Sequence, residues 1–211
     1  MPKPEQFAWF NAVVHIAGLC FALAMRGGTP LVPLDERMAW LASDPLTWKL
    51  GWTVWMLAAL CVGGLYALLH GALGKPALGV WAVALACAGA AIDIFSEIIY
   101  ITVLPGLAAS GQREVFTAFE RAAFGGGCIL ANGFYTLGCA LLTIELKKRA
   151  RTPLLLDLGA LVTIVCGLAM SVAGVMQSAR VLEILTGPTI VGFCLWGLAA
   201  ARHATTNGGR P

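Results

Sequence analysis

Six long stretches almost without charge leave this chain few folds: Phe7–Met25, Leu50–Leu69, Ala77–Leu104, Ala122–Ile144, Leu154–Met176 and Ile184–Ala201. A helix that crosses a bilayer needs about 20 mostly apolar residues, and each stretch meets or approaches that length. In hydrocarbon the backbone amides must bond to one another, so only helices and closed barrels span. Barrel strands alternate apolar and polar side chains, and these runs do not. Composition agrees, since 12% of the 211 residues are charged, about half the share with which a soluble domain faces water. The sequence therefore predicts an all-α, polytopic integral membrane protein. Six transmembrane helices form one bundle over residues 1–211, with one or two short interfacial helices beside it.

Several function classes fall away at this level. The net charge is +3 and the basic residues sit at helix ends, so no nucleic-acid partner is expected. The seven cysteines (Cys20, Cys61, Cys87, Cys128, Cys139, Cys166, Cys194) are scattered through the apolar spans without a CxxC pair. They read as small hydrophobes, with no disulfide, redox relay or zinc site. No cofactor or metal site is evident. Ala22-Leu23-Ala24 resembles a signal-peptidase site, but Lys3 is countered by Glu5, and Asn11 and His15 interrupt the apolar run. The first span is expected to be a retained helix.

The punctuation between spans fills in the topology. Gly27-Gly28 stops the first helix, and Ser43-Asp44-Pro45 reads as an N-cap with proline in the first turn of the second. Leu34, Met38 and Leu41 recur at helical spacing beside Asp35, Glu36 and Arg37, as in a short amphipathic helix lying in the membrane interface. Pro105–Arg121 looks like a second such helix, running into the fourth span. Trp48, Trp52 and Trp55 share one helix face and read first as an interfacial aromatic anchor, second as a ligand-stacking box. Short turns at Gly71–Pro76 and Ser178–Arg180 make their flanking helices antiparallel neighbours. Pro188 should kink the sixth helix, and residues 202–211 read as a disordered tail.

Orientation follows from the basic residues. One side holds Lys3, Lys75, Lys147, Lys148, Arg149, Arg151, Arg202 and Arg210, and the other holds Arg26, Arg37, Lys49, Arg113, Arg121 and Arg180. The excess places both termini in the cytoplasm of a cell membrane.

Ionisable groups inside a span are costly and mark candidate sites. Asp157 and Glu183 fall in first helical turns, where the dipole favours them, and Glu145 has Lys148 and Arg149 close by. Asp93 and Glu97 have no such excuse. Helical periodicity puts Asp93, Ser96, Glu97 and Tyr100 on one face of the third span. Two carboxylates one turn apart repel, so a proton, a cation, water or a basic partner must intervene. Arg113, Arg121 and Arg180 lie towards the same side and are the candidate charge partners. If they pair with the carboxylates, the cluster is a structural knot that fixes helix register. Asn132 on the fourth span and His15 on the first can both hydrogen-bond a carboxyl group. Asn11 and Gly18 continue the His15 face. Gly125, Asn132, Thr136, Cys139 and Thr143 line the fourth helix beside Tyr135, and Gly167, Met170, Gly174 and Gln177 line the fifth. Such stripes also serve plain helix packing.

Three functions compete. The first is small-molecule or proton-linked binding and transport, with Asp93 and Glu97 as the titrating site for a small apolar or cationic ligand. No internal repeat is visible and the chain is small, so transport would call for a homo-oligomer or a simple pore. The second is a membrane-embedded enzyme acting on a lipid-like substrate, with one carboxyl as general acid/base, although no GxSxG elbow or HExxH helix is present. The third is an accessory subunit packed against a larger membrane complex.

Overall fold

Each of the six apolar stretches is helical in the computed structural model, which describes residues 3–43 and 45–207. The first span is α1 (Pro4–Ala24), ended by a 3₁₀ turn at Arg26–Gly28. A short α2 (Leu34–Ser43) precedes the second span, α3 (Pro45–Ala72). The third span, Ala77–Ala109, joins α4 (Ala77–Ile98), a π-helical turn at Ile99–Val103 and α5 (Leu104–Ala109). The fourth, Arg113–Arg149, has the same plan: α6 (Arg113–Phe124), a π-helical stretch Gly125–Ala131 and α7 (Asn132–Arg149). α8 (Leu154–Val175) and α9 (Ala179–Asn207) complete the set. No strand occurs among the described residues. The chain is an all-α bundle with six helices long and apolar enough to cross a membrane.

The six spans close into a ring in chain order. α1 packs on α3, α3 on α4, α4 on α7, α7 on α8, α8 on α9, and α9 returns to α1. The end that carries both termini is sealed by Leu65, Tyr66, Leu69, Leu142, Phe193 and Trp196, which form one core cluster. Its polar tips are satisfied: Tyr66 donates to the Tyr135 carbonyl at 2.7 Å, and the Trp196 indole donates to Thr143 Oγ1 at 2.9 Å. A second cluster around Met25, Met38, Leu41, Trp48, Tyr100 and Phe116 lies towards the opposite end.

Several expectations need correction. α2 is a helix where the amphipathic pattern predicted one, and its Met38 and Leu41 are buried in the protein. Half-buried Arg37 and buried Glu120 pair at 2.6 Å and tie α2 to α6. Pro105–Arg121 is not one interfacial helix, because α5 continues the third span and α6 begins the fourth. α9 starts at Ala179, contains Pro188 and reaches Asn207, through much of the expected disordered tail. Thr205 Oγ1 donates to Glu5 at 2.8 Å, so that extension is held against the start of α1. Asp44 of the expected N-cap, and residues 208–211 of the tail, lie outside the described residues.

Candidate functional site

Between the two core clusters lies a cavity of about 260 Å³. All six residues singled out from the sequence, Asp93, Ser96, Glu97, Tyr100, Asn132 and His15, line it. The helical face of α4 brings the first three together, and the π turn that follows decides where Tyr100 stands. In that turn the Leu104 N–H bonds back to the Ile99 carbonyl, one residue further than in an α-helix. The same register would pair the Tyr100 carbonyl with Pro105, which has no N–H. The Trp48 indole takes that place and donates to the Tyr100 carbonyl at 2.6 Å. Tyr100 is then fixed with its ring stacked on Trp52, the centroids 4.1 Å apart and the planes 7° from parallel.

The opposite wall comes from the fourth span. Its π-helical stretch brings Gly127 against α4, where a Cβ would stand 3.1 Å from Asp93 Oδ1, so only a bare backbone fits comfortably. Tyr135 donates its hydroxyl to Asp93 Oδ2 at 3.3 Å. Asn132 donates to the Gly167 carbonyl at 2.7 Å and to Ser171 Oγ at 3.0 Å. It therefore clamps α7 to α8 while lining the cavity, and makes no bond to a carboxyl group. Ser96 donates to the Ile92 carbonyl of its own helix at 2.9 Å. His15 shares a 2.9 Å hydrogen bond with the Asn11 carbonyl and lies beside Phe193.

Glu97 is 2% exposed and its Oε2 has no hydrogen-bond partner. Among the described residues no ion pair joins Asp93 or Glu97 to a basic group. The three arginines expected beside them are at the surface, and Arg113 is bonded to Asp35 instead. A guanidinium keeps its hydration there, which burial beside the carboxylates would strip away. Among the described residues, then, no arginine–carboxylate knot forms at Asp93 and Glu97.

Sequence reasoning missed much of the aromatic wall. Trp48, Trp52 and Trp55 turn inward, Trp48 being buried and the other two lining the cavity. Their shared helix face was visible, but a membrane-interface anchor has the same spacing. The indole N–H of Trp52 is buried without a partner. Met170, Thr186 and Thr189 supply the wall from α8 and α9. A second cavity of about 410 Å³ shares Ala22, Trp52, Tyr100, Met170 and Thr186 with the first. It extends past Leu19, Leu23 and Leu182, between α1 and α9. Two acidic residues line this extension, and both are paired: Glu183 with Arg26 at 3.0 Å, and Glu120 with Arg37. No family model, curated protein or solved structure matches the chain.

Proposed function

We propose that this membrane protein binds a small molecule in the cavity between its six spans and carries it in a proton-linked step, with Asp93 and Glu97 as the titrating pair. The observation that carries the reading is the state of those two side chains. They face a cavity lined from six spans, Glu97 buried and Asp93 half-buried, and among the described residues no ion pair neutralises either. A charge left in such a place costs stability, so carboxylates held there without a basic partner serve a ligand or a proton. The core cluster around Tyr66, Phe193 and Trp196 closes the end bearing the termini, while the second cavity leads from the site towards the other end. With both termini cytoplasmic, as the basic residues indicate, the site opens outward.

The test is solute uptake into proteoliposomes across an imposed pH gradient, with a panel of labelled small cations, neutral solutes and anions. At least one solute is expected to accumulate with the wild-type protein and to stay at the level of empty liposomes with Asp93→Asn. Uptake that survives that substitution, or a wild-type protein inert to the whole panel, sinks the reading.

A further inference from the structure

Resting on that reading, we infer that the ligand is a lipophilic organic cation, an amine or quaternary ammonium with an apolar body. Its charge sits between Glu97, Asp93 and the stacked Trp52–Tyr100 pair. Four acidic residues line the two joined cavities, and two already have arginine partners. The acidic groups left without an arginine partner are therefore Asp93 and Glu97, where Glu97 Oε2 meets no donor. Aromatic side chains line the same space: Trp52, Trp55, Tyr100 and Tyr135. Indole and phenol rings attract cations through their π faces, most strongly where water is excluded.

For a metal ion, no cluster of three or more His, Cys, Asp or Glu among the described residues could hold one. An anion would meet the two carboxylates, and Arg26, which lines the second cavity, is already paired with Glu183. A neutral apolar solute would suit the walls but leave the carboxylates unmatched. An ammonium or quaternary cation answers both features. The apolar body has its own place, because the second cavity runs between Leu19, Leu23 and Leu182 towards the outer surface of α1 and α9. Leu23 is exposed there, so the path reaches the surface near the end of α1.

The experiment measures equilibrium binding of radiolabelled benzyltrimethylammonium to the full chain in lipid nanodiscs. The competitors are its neutral carbon isostere, neopentylbenzene, and the anion benzenesulfonate. Saturable binding is expected, displaced by other quaternary ammonium ions and by neither competitor. Glu97→Gln and Trp52→Leu should each weaken it about ten-fold or more, the scale of 1.4 kcal/mol. If Glu97→Gln fails to fold, the competition on wild-type protein and the Trp52→Leu variant still decide. Displacement by neopentylbenzene as effective as by the ammonium ions overturns the cation assignment while leaving a ligand cavity in place. Absence of saturable binding to wild type overturns it as well. The proteoliposome panel then tells whether the transport reading falls too, since a neutral or anionic solute carried in an Asp93-dependent way would keep that reading alone.

Discussion

The side chain that most controls the site's geometry is one that does not line the 260 Å³ cavity. Trp48 donates its indole N–H to the Tyr100 carbonyl, the acceptor that the π turn and Pro105 leave without a backbone donor. Replacing Trp48 by Phe keeps a ring in the packing but strands that buried carbonyl. An unsatisfied buried acceptor costs about 1–3 kcal/mol. Trp48→Phe is therefore expected to lower thermal stability in detergent and to loosen the Trp52–Tyr100 stack, read as a change in near-ultraviolet circular dichroism. A variant with wild-type melting and an unchanged spectrum would show that the indole bond has no such role. The role was hidden in the sequence for a physical reason. In a soluble protein an inward tryptophan differs from its surroundings, because the outside is water. In a bilayer the lipid and the protein interior are both apolar, so a tryptophan stripe near a helix end has two equally good environments. Carboxylates were legible because neither environment suits them. Asp93 and Glu97 could be placed from the sequence for that reason, and Trp48, Trp52 and Trp55 could not.

Among the elements, the close pairing of α8 and α9 depends on Gly159. A Cβ there would stand 2.7 Å from the backbone nitrogen of Trp196 and 3.0 Å from its Cα. Backbone cannot swing aside as a side chain can, so Gly159→Ala must push the helices apart. Overpacking of this kind costs about 1–3 kcal/mol. Gly63 on α3 has open space around its Cβ position. Gly63→Ala should be neutral or stabilise by up to about 1 kcal/mol through helix propensity. The two variants, melted side by side in the same detergent, are expected to move in opposite directions, and a Gly159→Ala protein as stable as wild type would rule out the close approach. The helices themselves were readable from hydropathy, but their ends were not. α9 reaches Asn207 because its polar last turns pack on the start of α1, a contact between residues 200 positions apart. α2 was readable as a helix from its periodicity, yet its burial depends on the pairing of Arg37 with Glu120, which are 83 positions apart. Local pattern carries neither contact.

At the scale of the whole molecule, the ring of six spans is packed solidly at the end with the termini and is hollow further along. The carboxylate pair sits in the hollow part, so the bundle bears the cost of two acidic groups that no arginine relieves. Converting both to amides in the Asp93→Asn/Glu97→Gln protein keeps their shape and removes their charge. The wild-type chain should then be the less stable of the two. The difference expected is about 1–3 kcal/mol, the scale for a poorly compensated buried polar group. For a chain of this length that is roughly 2–4 °C of melting temperature per kcal/mol. Thermal melts in detergent, followed through the reactivity of the buried cysteines Cys61, Cys139 and Cys194, measure it directly. A rise in melting temperature together with loss of solute uptake means that the protein gives up stability to keep a working site. A large fall means instead that the pair braces the bundle through a bound cation or water network, and that the carboxylates are structural after all. The two outcomes differ in sign, so the measurement separates a site retained against the fold from one retained for it.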